Sequence, residues 1–169
     1  MRNNFEKDLV DGQKGEEAVR HFVESVWEKK FVTYGNTNKF DIMFQNDYDD
    51  PLFFEVKTDY FEKDWKEGGT GNMAIEYKCR GKASGIRTTV ADWFAYYFPN
   101  ISSNQLWLIK VEDLKELIKD NNFKRVSAGE TYYDSEEKVA KCFLIDRYRH
   151  RQHFQRYSWD GRGWLASLE

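Results

Sequence analysis

Two ionisable side chains, Glu55 and Lys57, lie two residues apart within the apolar run LFFEVKT at positions 52–58. Successive side chains of a β-strand point to opposite faces, so residues two apart share a face. If this run is a strand, Phe53, Glu55 and Lys57 project together, away from Leu52, Phe54 and Val56. Such an acid and amine are either a solvated ion pair on an edge strand or part of an active site.

A second acid belongs to the preceding run, KFDIMF at 39–44, which also reads as a strand. The polar segment 45–51 predicts a hairpin-like connection, which would bring Asp41 alongside Glu55. Converging carboxylates repel each other unless a cation lies between them, and a few hard oxygen ligands suit Mg²⁺ or Mn²⁺. With an amine beside it to orient water or neutralise charge, this set has the groups needed to hydrolyse a phosphodiester.

The elements that must position these residues follow from hydrophobic periodicity and turn signals. Residues 34–38 (YGNTN) read as a turn-like break. The predicted order is a helix at 12–30, strands at 39–44, 52–58 and 73–80, a buried helix at 90–98, a strand at 105–111, a helix at 112–122 and a late strand within 138–149. One sheet flanked by helices is the natural α/β architecture for this order.

At this point the residues resemble a known family. Asp41, followed fourteen residues later by Glu55-Val56-Lys57, resembles the signature of the PD-(D/E)XK nuclease superfamily, although Phe40 stands where the family name implies proline. The segment GQKGEEAV at 12–19 is similar to the first-helix motif of archaeal-type Holliday junction resolvases. The resemblance implies one restriction-endonuclease-like domain over 1–169, with a central mixed sheet and an αβββαβ core at about 12–111. Residues 112–169 would form a C-terminal extension.

The resemblance also implies roles for the residues that match. Asp41 and Glu55 would bind Mg²⁺ (or Mn²⁺), together with the Val56 carbonyl group. Lys57 would position or activate the attacking water. In the resolvase-like motif, a first-helix glutamate faces the site.

Helical geometry indicates that Glu16 is the first-helix glutamate that faces the site. Glu16 lies on the apolar stripe with Val19 and Val23, whereas Glu17 lies on the solvated face. Glu16 would then be a catalytic residue, touching the metal or a water bound to it. The alternative is that an acid near the start of a helix only interacts favourably with the helix dipole.

Basic residues supply candidate contacts to nucleic acid. Arginines interleaved with aromatics at 147–159 suit phosphates and stacked bases, and the third predicted strand and the loop after it carry further cations. The candidates are Lys78, Arg80, Lys82, Arg87, Arg147, Arg149 and Arg151. A solvated surface is the alternative for each group. Glu76 could add an acid to the site. His150 and His153 have helical spacing but no evident third ligand, so no zinc site is predicted.

Bulk properties set limits on these interpretations. The chain has 169 residues, which suits one domain, and its net charge of −3 gives no overall basic field. No apolar run approaches the roughly 20 residues that span a bilayer. The charged N-terminus lacks the apolar stretch of a signal peptide, and the two cysteines show no metal-ligand spacing. A cytoplasmic protein without a membrane partner is expected.

The sequence therefore predicts a divalent-metal-dependent DNA nuclease that acts on a DNA structure or end. A resolvase-like endonuclease is slightly favoured over an exonuclease, and a resolvase would imply a homodimer because it must cut two strands. Two alternatives remain open: a catalytically silent nucleic-acid-binding module of the same fold, and an unrelated α/β protein in which the motif is coincidental.

Overall fold

The structure, a computed structural model, describes residues 4–48, 50–128 and 139–167. These ranges contain two α-helices, eleven strands and three short 3-10 helices. In chain order the α-helices and strands are α1 (Asn4–Val26), β1 (Lys30–Thr37), β2 (Phe40–Gln45), β3 (Pro51–Thr58), β4 (Asn72–Cys79), β5 (Lys82–Ala83), β6 (Trp93–Phe98), β7 (Gln105–Lys110), α2 (Val111–Asp120), β8 (Lys124–Ala128), β9 (Ala140–Asp146), β10 (Gln155–Trp159) and β11 (Trp164–Ala166).

The strands form two sheets. The main sheet has seven strands in the order β1-β2-β3-β6-β7-β10-β11, and the second has four in the order β5-β4-β9-β8. The β3–β6 pair is parallel, and the other pairs of the main sheet are antiparallel, so that sheet is mixed. The α/β class predicted from the sequence is confirmed at this level.

The main sheet is covered on both faces. On one face, Val19, Phe22 and Val23 of α1 pack against Phe54 and its neighbours, all fully buried. On the other face, strands β4 and β9 of the second sheet, together with α2, pack over the remaining inward side chains, such as Phe94. Alternate side chains of each central strand therefore enter different cores.

The predicted helix at 90–98 is wrong, because residues 93–98 form strand β6 in the middle of the main sheet. The segment is apolar on both sides, so its periodicity could not distinguish a buried helix from a buried strand. Its aromatic residues, WFAYYF, favour a strand that is covered on both faces. The described residues between β4 and β7 therefore contain no α-helix, and the αβββαβ order is not reproduced there.

Two other segments depart from the predicted core. The turn-like break at 34–38 lies mostly within β1, and the predicted strand at 73–80 forms β4 in the second sheet. Strands β10 and β11, within the expected C-terminal extension, join the main sheet. The parallel β3–β6 pair needs a crossover connection, and here β4 and β5 lie within it rather than an α-helix.

Neither helix in the described ranges is long and apolar enough to cross a bilayer. Cys79 and Cys142 are both free thiols. Burial raises the pKa of Cys142, and the charge of Glu76 adds to the rise. Cys142 is therefore a protonated packing residue at neutral pH.

Candidate active site

A polar cavity of about 220 Å³ lies between the two sheets. Its lining comes from the β1–β2 turn, from β2, β3, β4 and β6, and from the turn that follows β5. The lining residues are Asn38, Asp41, Glu55, Val56, Lys57, Ala74, Glu76, Ser84, Gly85 and Phe94. The structure thus brings together Asp41, Glu55 and Lys57, and adds Glu76 from the second sheet.

The alternation of β3 directs Glu55 and Lys57 to this cavity. Phe54 is fully buried against α1, so its neighbours in sequence project from the opposite face. Glu55 is partly buried beside Phe94 of β6, while Lys57 is exposed at the rim. Within the described part of the chain, Glu55 and Lys57 form no ion pair with each other. These two residues therefore do not form a simple ion pair on the strand surface.

Asp41 is held in place by the backbone of the neighbouring strand. The β2–β3 register pairs Ile42 with Phe54, and one further step along it brings Asp41 level with Glu55. The Val56 N–H donates a hydrogen bond of 2.6 Å to Asp41 Oδ2. Burial raises the pKa of Asp41, and this hydrogen bond opposes the rise without cancelling it.

Glu55 is held by a buried threonine. Thr89 Oγ1 lies 2.9 Å from Glu55 Oε2 and 2.9 Å from the Lys39 carbonyl oxygen, and it accepts a hydrogen bond from the Ala91 N–H. Burial, followed by the negative charge of Asp41, raises the pKa of Glu55 to about 7 despite the bond to Thr89. Such a shift identifies a carboxylate that lacks a compensating positive charge.

Glu16 lies on α1, close enough to Asp41 to feel its charge. It is not among the cavity-lining residues, yet burial and then the charge of Asp41 raise its pKa to about 7. The close approach of α1 depends on Gly15, because a Cβ atom there would lie 1.7 Å from Thr58 Oγ1. The glycine of the GQKGEEAV segment therefore allows the helix to press against the end of β3.

The opposite wall of the cavity is a short turn fixed to β4. Ser84 donates a hydrogen bond of 2.5 Å to Glu76 Oε1, and Gly85 follows with a φ of +51°. A Cβ atom on Gly85 would lie 2.4 Å from the Glu76 carbonyl oxygen, so only glycine fits here. Neither the Ser84 nor the Thr89 side chain is among the site residues that the sequence predicts. Their loop position gave no periodic signal.

No known family, no curated protein and no solved structure matches this chain. The chemistry of the site therefore has to be argued from its own side chains.

The donor chemistry fits a small hard cation. Among the described residues, no three His, Cys, Asp or Glu side chains form a ready-made set of metal ligands. Asp41 and Glu55 are nevertheless adjacent carboxylates whose pKa values are raised by burial. A cation between them would relieve their repulsion, and the Val56 carbonyl group is the further oxygen expected nearby.

The predicted phosphate contacts separate into three groups. Lys78, Arg80, Lys82 and Arg87 lie on β4, β5 and the turns beside the cavity. Arg149 instead lines a different cleft, which it shares with acidic residues of α2, and Arg151 is exposed in the turn beside it.

The third group is Arg147 alone, and its predicted phosphate contact is wrong. Arg147 is fully buried, with its guanidinium 3.3 Å from Glu62 and stacked over the ring of Phe98. Its charge is neutralised inside the protein and cannot meet a phosphate at the surface.

Proposed function

We propose that this protein is a divalent-metal-dependent nuclease of the PD-(D/E)XK type that hydrolyses phosphodiester bonds in DNA. The observation that carries the proposal is that Asp41 and Glu55 line one polar cavity together with Lys57, and that burial raises the pKa values of both carboxylates. Carboxylates with strongly raised pKa values in a cleft are a common feature of functional sites. Lys57 at the cavity rim completes the set.

The residues have separable roles in this proposal. Asp41 and Glu55, with the Val56 carbonyl group, would hold Mg²⁺ or Mn²⁺. Such an ion, when bound, supplies a Lewis acid for a phosphate oxygen and acidifies bound water. Thr89 and the Val56 N–H keep the two carboxylates oriented. Lys57 donates hydrogen bonds to the attacking water or to a phosphate oxygen. Glu16, with a pKa of about 7, can exchange a proton near neutral pH.

The substrate is proposed from the surroundings of the cavity. Lys78, Arg80, Lys82 and Arg87 lie on the second sheet and its turns, where they can follow a phosphate backbone. We expect the site to recognise a DNA structure or end rather than a long base sequence. The resolvase-like helix segment favours branched DNA, for which a homodimer would cut both strands. The free cysteines agree with a cytoplasmic setting.

A cleavage assay tests the proposal directly. Purified protein is incubated with linear duplex, single-stranded and four-way-junction DNA, in Mg²⁺, Mn²⁺ or EDTA. Wild type should cleave at least one substrate only with metal. Glu55→Gln and Lys57→Ala should each lower the rate by about 10²-fold or more. Glu116→Gln and Lys119→Ala, on the exposed face of α2, are matched controls that should retain full activity.

Each outcome of this assay has a distinct meaning. DNA binding without cleavage by wild type would refute the nuclease and leave a binding module of the same site. Cleavage that survives both site variants would place the chemistry elsewhere. Neither binding nor cleavage of any substrate would show that the motif is coincidental.

A further inference from the structure

The second sheet contributes an acid, Glu76, to the cavity between the sheets. In β4, Ile75 and Tyr77 enter the core, whereas Ala74 and Glu76 alternate with them and line the cavity. Among the described residues, Glu76 forms one hydrogen bond, which Ser84 donates to Oε1, and no ion pair. The second carboxylate oxygen of Glu76, Oε2, is therefore available to accept a hydrogen bond within the cavity.

One short turn, residues 84–89, connects Glu76 with Glu55. Ser84 at the start of the turn bonds to Glu76, and Thr89 at its end bonds to Glu55. The turn is closed by the Gly85 carbonyl oxygen, which accepts hydrogen bonds of 2.9 Å from the N–H groups at positions 88 and 89. Two acids that belong to different sheets are thus anchored to the same piece of backbone. Their relative placement is a property of the fold rather than of mobile side chains.

The charges that line the cavity do not balance. Asp41, Glu55 and Glu76 bring three negative charges when ionised, and Lys57 brings one positive charge. Glu16, which lies outside the lining, increases the excess when it is ionised. Within the described ranges, no basic side chain forms an ion pair with any of these acids. An excess of at least two negative charges is what a divalent cation would neutralise.

The electrostatic influence of Glu76 reaches the proposed metal ligands. Burial is the main cause of the raised pKa of Glu55, and the charges of Asp41 and then of Glu76 add to it. Glu76 therefore acts on the same carboxylate as Asp41 does, from the opposite side of the cavity. A cation bound at Asp41 and Glu55 would feel the attraction of all three acids.

The three acids are not arranged to bind one ion directly. In the part of the chain that the structure describes, no three His, Cys, Asp or Glu side chains form such a set. The cavity volume of about 220 Å³ is, however, about seven times the roughly 30 Å³ that one water molecule occupies in the liquid. A cation therefore fits together with water, and Mg²⁺ typically binds one or two carboxylates and keeps several waters.

We propose that Glu76 is a positioning residue of the proposed metal site, where it accepts a hydrogen bond from a water molecule that the cation carries. The inference rests on the proposed function and adds a residue to its site. Asp41 and Glu55 remain the direct ligands. Ser84 acts through Glu76, because its hydroxyl group holds Oε1 and leaves Oε2 to accept the hydrogen bond from water.

Metal binding tests this role without DNA and without turnover. Isothermal titration calorimetry of the full chain with Mn²⁺ at neutral pH measures the affinity. Glu76→Gln should bind Mn²⁺ about 10- to 100-fold more weakly than wild type, the range expected for a residue that supports a ligand of the ion. Glutamine still accepts the hydrogen bond from Ser84, so the variant should remain folded. Glu116→Gln, on the exposed face of α2, is the matched control and should bind as wild type does.

A double-mutant cycle tests whether Ser84 acts through Glu76. Ser84→Ala should weaken Mn²⁺ binding less than Glu76→Gln does, and Ser84→Thr, which keeps a hydroxyl group, should restore it. The double variant Glu76→Gln/Ser84→Ala should bind no more weakly than Glu76→Gln alone, since the hydroxyl group has no separate contact with the ion. Additive losses in the double variant would overturn the proposed coupling.

The number of water molecules on the bound ion distinguishes contact through water from direct binding. Water-proton relaxation at saturating Mn²⁺ measures that number. Glu55→Ala removes a direct ligand and should raise it, whereas Glu76→Ala should leave it unchanged. An equal rise in Glu76→Ala would make Glu76 a direct ligand and overturn the contact through water.

The combined results separate this inference from the nuclease proposal. Equal Mn²⁺ affinity of Glu76→Gln and wild type, in a protein that cleaves DNA, overturns the role of Glu76 and leaves the nuclease intact. Weaker Mn²⁺ binding by Glu76→Gln, when wild type cleaves no DNA, supports the role of Glu76 and overturns the nuclease. A wild-type protein that binds no Mn²⁺ overturns both.

Discussion

Replacement of Glu55 by glutamine should stabilise the metal-free protein while it lowers the cleavage rate by about 10²-fold or more. In wild type, burial and the charge of Asp41 raise the pKa of Glu55 from 4.5 to about 7. At 1.36 kcal/mol per pKa unit, ionised Glu55 destabilises the fold by about 3 kcal/mol above pH 7. Glutamine removes that charge and still accepts the hydrogen bond from Thr89.

The direction of this stability change follows from its dependence on pH. Between pH 4.5 and 7 the folded chain holds a proton on Glu55 that the unfolded chain has lost, so wild-type stability falls as pH rises through this window. The advantage of Glu55→Gln should therefore be near zero at pH 4.5 and largest above pH 7. For a chain of this size it corresponds to a melting temperature about 6–12 °C higher at pH 8.

Urea unfolding in EDTA at pH 4.5 and pH 8 measures the difference. Glu116→Gln, which removes an exposed carboxylate of α2, is the control and should change stability by no more than about 0.5 kcal/mol at either pH. Saturating Mg²⁺ should reduce the advantage of Glu55→Gln at pH 8, because only wild type gains full binding energy from the ion. Equal stabilities of wild type and Glu55→Gln at pH 8 in EDTA would refute the claim that this carboxylate is uncompensated.

Three other predictions follow from the same geometry. At a Mg²⁺ concentration below saturation, the cleavage rate should rise as pH increases through about 7, because protons compete with the ion for the raised-pKa carboxylates; a flat rate profile from pH 5.5 to 8.5 would contradict this. Gly15→Ala should destabilise the fold by about 1–3 kcal/mol in urea unfolding, and Thr58→Ala should restore part of that loss by removing the clashing hydroxyl. Arg147→Met should cost about 3–5 kcal/mol by leaving buried Glu62 without its partner, and adding Glu62→Leu should recover much of it; additive losses in the thermal melts would argue against a coupled pair.

The core of the candidate site could be predicted because it depends on local geometry. Glu55 and Lys57 share a face of any strand that contains them, and a short hairpin brings Asp41 to the same level. The cavity between the sheets contains all three residues. The apolar stripe of the first helix likewise indicated Glu16, since helical period alone separates it from Glu17.

The incorrect predictions, for segment 93–98 and for Arg147, share a different cause. Segment 93–98 is apolar on both faces, and only its place in the middle of a sheet made it a strand rather than a helix. Arg147 belongs to a basic, aromatic-rich segment that is typical of a nucleic-acid contact. Arg147 is instead buried, because it pairs with Glu62 of the β3–β4 loop, which is far away in sequence.

The sequence by itself determined which charged groups share a strand face, because the two-residue period of a strand needs no knowledge of the rest of the chain. Only the tertiary structure decided what surrounds them. Thr89 reaches Glu55, and Ser84 reaches the cavity, through loops that leave no periodic trace in the sequence. Strand alternation suggested Glu76, but only the packing of a second sheet brought it to the cavity. The raised pKa values are also a tertiary property, because they arise from burial and from charges on different elements.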